Sequence, residues 1–189
     1  MKVDTTHQNP TDEEIALRVQ QGDSEVFGVL VDRYEQKLLR YGRKFLSRPE
    51  DVQDIVQDVF IRAYRNIQSF DPAQRFNPWI YRIAHNAYLN TMRRNSLAPL
   101  SVDFDTVLIH FKYDDPSESE REQKDMRDLI ERSMNDIPAK YREVLILHYF
   151  EEMPYKDIAD VLEIPVGTVS IRLRRAREAL KKKINPAHL

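Results

Sequence analysis

The chain has 189 residues, of which 41% are hydrophobic and 32% charged, with a net charge of −2 and only 4 glycines. This composition favours one or two small, mostly helical domains with much exposed surface. The absence of cysteine excludes disulfides and thiol chemistry and is typical of a reducing cytoplasm. No apolar run approaches the length of a membrane span, and residues 1–10 lack the apolar core of a signal peptide. We therefore expect a cytoplasmic protein without membrane insertion.

Helix-start signals divide the first half of the chain into four predicted helices. Residues 1–11 are polar, and we expect them to form a flexible N-terminus. Residues 11–14 (TDEE) match a capping box, in which a hydroxyl and a carboxylate satisfy free N–H groups at a helix start. Further helices are predicted to begin near Ser24, Pro49 and Pro78.

The third predicted helix has one apolar and one acidic face. Its apolar residues between Val52 and Ile67 recur at helical spacing and predict a wide buried stripe. Asp54, Gln57 and Asp58 gather on the other side. An acidic run of this kind is most often a solvated surface, and the functional alternative is a docking face for a basic partner.

The fourth predicted helix and the loop before it combine side chains that can hold a single nucleic-acid strand. These are aromatic residues, arginines and asparagines, namely Phe70, Arg75, Phe76, Trp79, Tyr81, Arg82, Asn86, Tyr88, Asn90, Arg93 and Arg94. Aromatic rings stack on unpaired bases, while cations and amides hold the strand. The structural alternative is that Trp79, Ile83 and Tyr88 are core residues. His85 has no partner at metal-ligand spacing, so we expect it to be structural or on the surface.

The second half of the chain begins with an acidic segment that lacks helical periodicity. We expect residues 96–120 to form a flexible acidic linker. Helices are then predicted over residues 121–135, 139–150 and 154–163. The third of these is expected to bury Ile158, Ala159 and Leu162.

A tight turn joins the last two predicted helices into the pattern of a helix-turn-helix, whose second helix enters the DNA major groove. The turn contains Pro165 and Gly167, and Thr168 is predicted to cap the second helix. Many such motifs have glycine at the position of Glu163. This turn must therefore close in another way.

The last predicted helix has a narrow apolar seam and a basic remainder. Apolar residues spaced for one helical stripe are Val169, Leu173, Ala176, Leu180 and Ile184. One acid, Glu178, stands among the cations Arg172, Arg174, Arg175, Arg177, Lys181, Lys182 and Lys183. Alone, this helix fits a solvated basic surface as well as a DNA-binding one, and the preceding helix-turn-helix pattern favours DNA.

The sequence contains no catalytic constellation. It has no cysteine, no glycine-rich phosphate loop, no paired histidines at metal-ligand spacing and no nucleophile elbow. We therefore expect a protein that is not an enzyme and that carries neither a cofactor nor a metal.

Three motifs in a fixed order resemble the bacterial extracytoplasmic-function (ECF) sigma factors of the sigma-70 family. They are residues 54–64 (DIVQDVFIRAY), 79–86 (WIYRIAHN) and 164–169 (IPVGTV). The resemblance implies an all-α protein with two small helical domains joined by the flexible acidic linker. A sigma-2-like domain would span residues 12–95, and a sigma-4-like helix-turn-helix domain would span residues 121–185.

The resemblance implies an alternative sigma factor that binds core RNA polymerase and promoter DNA. Its first domain would bind the clamp helices of the largest polymerase subunit through Asp54, Gln57, Asp58 and Phe60, and the polymerase flap is a further expected contact. The −10 promoter element would be melted and read by Phe70, Arg75, Trp79, Arg82, Asn86 and Asn90, with Arg93 and Arg94 placed to hold backbone phosphates. The −35 element would be bound as duplex by Ser170, Ile171, Arg172, Arg174 and Arg175, with Thr168 holding phosphate. An anti-sigma factor is the expected regulator.

Some residues depart from the family pattern. Ser170 and Ile171 stand where relatives often carry Arg and Ser, and Arg174 replaces an apolar or aromatic residue. Asn77 and Pro78 replace the usual Ser/Thr pair before the tryptophan. These departures leave the implied function in place, and we expect the promoter preference to differ from that of relatives at Ser170 and Ile171.

Two other functions fit parts of the pattern. A two-domain helix-turn-helix regulator that is not a polymerase subunit would need a receiver or ligand-binding domain in front, whereas residues 1–98 are predicted to be all-helical. A helical adaptor that bridges proteins would need neither the basic final helix nor the segment of aromatic residues, arginines and asparagines.

Overall fold

The structure is a computed structural model that describes residues 9–94 and 138–184, with side chains described up to Leu180. Within these ranges the chain forms seven α-helices and two short 3-10 helices, without a strand. The predicted all-α class is therefore confirmed. The predicted linker over 96–120 and the predicted helix over 121–135 lie outside the described residues.

The chain divides into two compact units, Met1–Tyr88 and Leu89–Leu189. In the first unit the helices are α1 (Asp12–Gln20), α2 (Phe27–Gly42), α3 (Pro49–Asn66) and α4 (Phe76–Arg94). In the second unit they are α5 (Ala139–Tyr149), α6 (Tyr155–Leu162) and α7 (Val166–Ile184). The division falls inside α4, and the domain end at residue 95 stays a prediction.

The capping box predicted at the start of α1 is present. The Glu14 N–H donates to the Thr11 hydroxyl oxygen at 3.2 Å, and the Thr11 N–H donates to the Glu14 carboxylate at 2.8 Å. The two side chains satisfy N–H groups that have no partner within the helix. After α1 the chain turns at Gly22, whose φ of 103° favours glycine.

The start of α1 is tied to α2 through Asp12. The Arg33 guanidinium donates to Asp12 Oδ1 at 2.6 Å and to the Pro10 carbonyl at 2.9 Å, and the Tyr34 hydroxyl donates to Asp12 Oδ2 at 2.5 Å. Burial and the bond to Asp12 raise the pKa of Tyr34 above its usual range. Pro10 is therefore held by Arg33, and the flexibility of the N-terminus over residues 1–11 stays a prediction.

The second helix begins later than predicted and ends before its apolar pattern does. A 3-10 helix, Ser24–Val26, precedes α2, which therefore begins at Phe27 rather than at Ser24. The apolar pattern continues to Leu46, but α2 ends at Gly42. The next backbone bonds are short-range, from Lys44 N–H to the Tyr41 carbonyl and from Phe45 N–H to the Gly42 carbonyl, so the last turn tightens and stops.

Tyr41 lies at the centre of the core of the first unit. Its ring meets Phe45, Tyr81 and Tyr88 edge-on, with centroids 5.0–5.9 Å apart. A hydrogen bond of 2.8 Å joins its hydroxyl to Nδ1 of the buried His85. The structural role predicted for His85 is therefore confirmed. This aromatic cluster fixes α4 on α2.

The second unit packs α7 against α5 and α6 around an apolar core. Val144, Leu145, Ile158, Val169 and Leu173 are all fully buried. One prediction for α6 is wrong. Leu162 is only half-buried, and its neighbour Val161 fills the core instead.

The turn between α6 and α7 closes through a left-handed residue. Glu163 has φ 53° and ψ 44°, the conformation that glycine adopts most easily. The Ile164 N–H then donates back to the Ala159 carbonyl at 3.1 Å. A glutamate thus occupies the turn position at which glycine is expected. The left-handed conformation lowers the free energy of unfolding by about 1 kcal/mol relative to glycine.

The predicted cap of the last helix needs correction. α7 begins at Val166, so Thr168 lies inside its first turn. The N–H groups of Thr168 and Val169 donate to the Pro165 carbonyl at 2.8 and 3.2 Å. Thr168 is therefore part of the helix rather than its capping residue.

Candidate functional site

One face of α4 carries polar and aromatic side chains at helical spacing. The members of this α4 face are Trp79, Arg82, Asn86, Asn90 and Arg93. Residues three and four apart lie on the same side of a helix, so these five form a continuous stripe. Asn86, Asn90 and Arg93 are exposed, whereas Trp79 and Arg82 are half-buried. Arg75 and Arg94 are exposed at the two ends of the stripe.

The side of α4 opposite the α4 face is buried, and the α4 face is therefore directed towards solvent. Ile80, Ala84 and Tyr88 are fully buried. Tyr88 was one of three residues for which a core role was the alternative, and it is a core residue. Trp79 and Ile83 are half-buried, so the core alternative holds for them only in part.

The loop before α4 is built on Phe70. Its ring packs against Phe76 and Trp79, with centroids 5.4 and 5.2 Å away, and only 3% of the residue is exposed. The Phe70 ring is therefore covered by these two side chains, and its role at the −10 element stays a prediction. The Phe70 ring packs against the buried side of Trp79. The partly exposed Trp79 indole is therefore the aromatic surface next to the arginines and asparagines.

A second polar surface lies on the outer side of α7. Ile171 is 47% exposed, and one helical turn later Arg174 and Arg175 are partly exposed. Together with Thr168, one turn earlier, these residues form the α7 face. Its reverse side consists of fully buried apolar residues, namely Val169, Leu173, Ala176 and Leu180. The apolar seam predicted for this helix is confirmed up to Leu180.

The other two predicted −35 residues lie on the flanks of the α7 face. Ser170 and Arg172 are each one residue away from Ile171, on opposite sides of the helix, and both are partly exposed. The positive charge of Arg172 acts on Glu143 of α5. Burial raises the pKa of Glu143 to about 7, and the positive charges of Arg172 and Arg142 oppose this rise.

Arg177 does not belong to the basic surface that the sequence indicates. It is buried, its Nε donates to the Tyr149 hydroxyl at 2.7 Å, and its guanidinium lies 5.7 Å from the centre of the Tyr149 ring. This contact joins α7 to α5 and removes one cation from the exposed surface of α7.

The outer side of α3 combines acids with apolar residues. Asp54 and Gln57 are exposed, and Asp58 forms an exposed ion pair with Arg62 at 2.6 Å. Phe60, predicted to contact polymerase, is only 9% exposed and belongs to the core side.

Two apolar residues on α3 were missed in the sequence. Ile61 and Tyr64 are 50% and 44% exposed, and they continue the outer side of α3 one and two turns beyond Gln57. The α3 face therefore comprises Asp54, Gln57, Asp58, Ile61 and Tyr64. Ile61 follows Gln57 by four residues and Tyr64 follows Ile61 by three, and this helical spacing was the available signal.

No group of residues in the described part of the chain is suited to hold a metal ion. Among the same residues, no helix is both long enough and apolar enough to cross a membrane.

The sequence is similar to curated proteins over nearly its whole length. It is 35% identical over 184 residues to the ECF RNA polymerase sigma-E factor of Haemophilus influenzae, covering 93% of this chain and 96% of that protein. The chain belongs to the ECF sigma factors. The ECF sigma factor SigW of Bacillus subtilis is 33% identical, over 88% of this sigma factor and 93% of its own length.

Two family models match this sigma factor, one in each half of the chain. Residues 30–97 match Sigma-70 region 2, and residues 127–180 match Sigma-70 region 4. The α3 and α4 faces thus lie in region 2, and the α7 face lies in region 4. As an alternative sigma factor, the protein binds core RNA polymerase and directs promoter-specific initiation of transcription. Sigma factors are not enzymes.

Solved structures show the same fold. The structure of CnrH in complex with the cytosolic domain of CnrY is 25% identical, with a TM-score of 0.68 over 93% of this sigma factor and 98% of that chain. The RpoE sigma factor from Bartonella quintana, solved with the anti-sigma factor NepR, has a TM-score of 0.59 over 86% of this chain and 98% of that chain. Its 22% identity supports the fold alone.

Proposed function

We propose that this sigma factor divides promoter recognition between the α4 face, which opens and reads the −10 element, and the α7 face, which reads the −35 element as duplex. One observation carries the proposal: the two units expose cationic helix faces of different chemistry. The α4 face offers an indole and two amides, which suit unpaired bases. The α7 face is a helix surface with two arginines, which suits the major groove.

At the −10 element, an unpaired base must regain the stacking and hydrogen bonds that it loses on leaving the duplex. Trp79 supplies the ring surface, and the exposed amides of Asn86 and Asn90 supply donors and acceptors. Phosphates are held by the flanking arginines, namely Arg75, Arg82, Arg93 and Arg94.

At the −35 element, Arg174 and Arg175 are the candidates for bidentate contacts to guanine, the commonest specific contact of arginine in the major groove. Ile171 is the exposed apolar residue between them and the helix start, and it suits the methyl group of thymine. Ser170 lies beside Ile171 and is assigned to base edges, which a serine hydroxyl can contact. Thr168 and Arg172 are assigned to the backbone of the duplex.

The α3 face is the proposed contact with the clamp helices of the largest polymerase subunit. Its carboxylates complement a basic partner and steer association. The exposed side chains of Ile61 and Tyr64 supply apolar contact area, and tyrosine is frequent among the residues that dominate interface energy. The polymerase flap is a further proposed contact of this protein.

We also propose control by an anti-sigma factor that covers these faces. CnrH, which shares the fold at 25% identity, was solved with the cytosolic domain of CnrY. A regulator with a cytosolic domain fits a sigma factor that works in the cytoplasm, where polymerase and promoter DNA are found. We therefore assign this protein to the cytoplasm.

Transcription in vitro tests the division of labour. Core RNA polymerase with this protein should initiate on a genomic promoter library, and the selected promoters should share two separate elements. Initiation that depends on only one element would contradict the division between the α4 and α7 faces. Absence of any transcript would contradict the assignment of a sigma activity to these surfaces.

A further inference from the structure

Both ends of the loop before α4 are held by side chains of α1. At the first end, Gln20 Nε2 donates to the carbonyl oxygens of Ile67 and Phe70, each at 2.7 Å. At the other end, the backbone N–H of Phe76, where α4 begins, donates to Glu13 Oε1 at 2.8 Å. All three bonds are partly buried. A helix outside the loop thus fixes where the loop starts and where it ends.

The loop is also closed between these two anchors. The Asp71 carboxylate accepts from the Ala73 N–H at 3.0 Å, and the Asp71 carbonyl accepts from the Gln74 N–H at 2.9 Å. The first bond is that of an Asx turn and the second closes a β-turn, and both form within four consecutive residues. The internal shape of the loop is therefore local, whereas its attachment depends on α1.

A further bond reinforces the first anchor. The Gln68 side chain donates to the Gln20 backbone carbonyl at 3.1 Å, so Gln20 is engaged through both its side chain and its backbone. Removal of the Gln20 amide donor would leave two carbonyl oxygens without that partner in a partly buried place, which favours a shift of the loop. Such a shift moves Phe70, on which Trp79 rests.

We propose that Gln20 and Glu13 are positioning residues for −10 recognition, which set the loop and the start of α4 in the geometry that selects the base without touching DNA themselves. The inference rests on the proposed role of the α4 face. Both residues precede the stretch 30–97 that matches Sigma-70 region 2, so the family match alone does not include them. A preorganised site loses selectivity when its support loosens, even if every contacting group is still present.

The sharpest variant is Gln20→Glu. The two side chains have nearly the same size, but a carboxylate has no N–H to donate to the carbonyl oxygens of Ile67 and Phe70. Gln21→Glu is the matched control, because it adds the same charge one residue later, at an exposed position. Any effect of charge alone on DNA binding should appear in both variants.

The measurement is transcription by core polymerase with the full-length chain on promoters that share one −35 element and carry a randomised −10 element. Gln20→Glu should lower the ratio of best to worst −10 base by about tenfold, and Gln21→Glu should keep the wild-type ratio. Thermal melting is recorded in parallel. A variant that loses stability and yields less transcript on all promoters equally, with an unchanged ratio, would overturn the proposal.

Glu13 provides a second and independent pair of variants. Glu13→Ala removes the acceptor for the Phe76 N–H, whereas Glu13→Gln keeps an acceptor oxygen and should restore the wild-type −10 preference. If Gln20→Glu does not fold, the two Glu13 variants test the positioning role instead. Equal preferences in Glu13→Ala and Glu13→Gln would overturn the proposal.

Direct variants of the α4 face separate this inference from the proposed function. Asn86→Ala and Trp79→Ala are assayed on the same promoter library. If neither changes the −10 preference, the role of the α4 face fails and the inference fails with it. If both change it while Gln20→Glu and Glu13→Ala do not, only the positioning role is lost.

Discussion

The hydroxyl group of Tyr88 lies against Gly42, in the space where the first side-chain atom of any other residue would be placed. The same hydroxyl donates to the Leu38 carbonyl at 2.9 Å, and the Tyr88 ring stacks on Phe45 with an interplanar angle of 8°. The backbone of α2 and the underside of α4 can approach this closely only because residue 42 is glycine.

Gly42→Ala should destabilise the first unit. Its methyl group would overlap the buried Tyr88 phenol, which is held by its hydrogen bond, and overpacking of this kind costs about 1–3 kcal/mol. Chemical denaturation measures the loss. Gly28→Ala is the control within the same helix, because its methyl group would meet open space and should stabilise α2 by about 0.5–1 kcal/mol. Equal effects of the two variants would contradict the close contact.

Glu163→Gly should stabilise the second unit. The left-handed backbone at this position is strained for any residue with a Cβ atom, and its relief is worth about 1 kcal/mol. Glu163→Asn should have a smaller effect in the same direction, and Glu163→Val should destabilise, because a β-branched residue fits this conformation worst. A different order of melting temperatures would show that the turn adopts another geometry.

The stability of the second unit should depend on Glu143 and on pH. Because burial raises the pKa of Glu143 to about 7 from an ordinary 4.5, the folded chain binds more protons than the unfolded chain between these values. Stability contributed by the protonated form is therefore lost as pH rises from 4.5 to 7. At pH values above this window, Glu143→Gln should raise the melting temperature. At pH values below it, the melting temperature should change little. Glu152→Gln is the control, because Glu152 is exposed. If the melting temperature of Glu143→Gln depended on pH as that of the unchanged protein does, Glu143 would not be the cause of the pH dependence.

Asn86→Ala should change the preferred base at one position of the −10 element. The exposed amide offers both a donor and an acceptor, and the loss of one such hydrogen bond amounts to roughly 1 kcal/mol of discrimination. The readout is the promoter profile of the variant with core polymerase. Arg175→Ala is the reciprocal control, since it should weaken −35-dependent initiation and leave the −10 profile unchanged. Loss of polymerase binding in either variant would contradict these roles.

Ile171 should make the protein sensitive to the methyl group of one thymine in the −35 element. Replacement of that thymine by uracil removes only the methyl group, which costs about 0.8 kcal/mol of apolar burial, or roughly a fourfold loss of affinity. Each −35 thymine is replaced in turn, and binding by the complete polymerase complex is compared. Ile171→Ala should bind both duplexes equally. A methyl effect that persists in Ile171→Ala would assign it to another residue.

The elements of the fold were predictable because local signals agree with the packing. The capping box at Thr11 and the apolar periodicity of α3 and α7 each appear in the structure as the sequence indicates. The errors fall where a tertiary contact decides. Helix α2 ends before its apolar pattern does, and Val161 rather than Leu162 enters the core, because the neighbouring helices set which side of a short helix is buried.

The candidate surfaces were predictable in residue type and less so in exposure. Phe60, Phe70 and Arg177 have the chemistry of binding residues, but all three are buried. Their partners come from elsewhere in the chain, as Tyr149 does for Arg177, and a single sequence does not reveal such pairs. The anchors Glu13 and Gln20 were missed for the same reason, since they bind backbone groups about 50 residues or more away.

The contact between Arg177 and Tyr149 also determines how promoter binding should respond to salt. Only cations that displace counterions from phosphates make binding weaker at higher ionic strength. A guanidinium enclosed between α7 and α5 displaces none, although it contributes to the formal charge of the last helix. We therefore expect the proposed DNA contact of α7 to depend less on salt than its composition indicates, with a larger share of its selectivity due to the arginines and the isoleucine on the outer face.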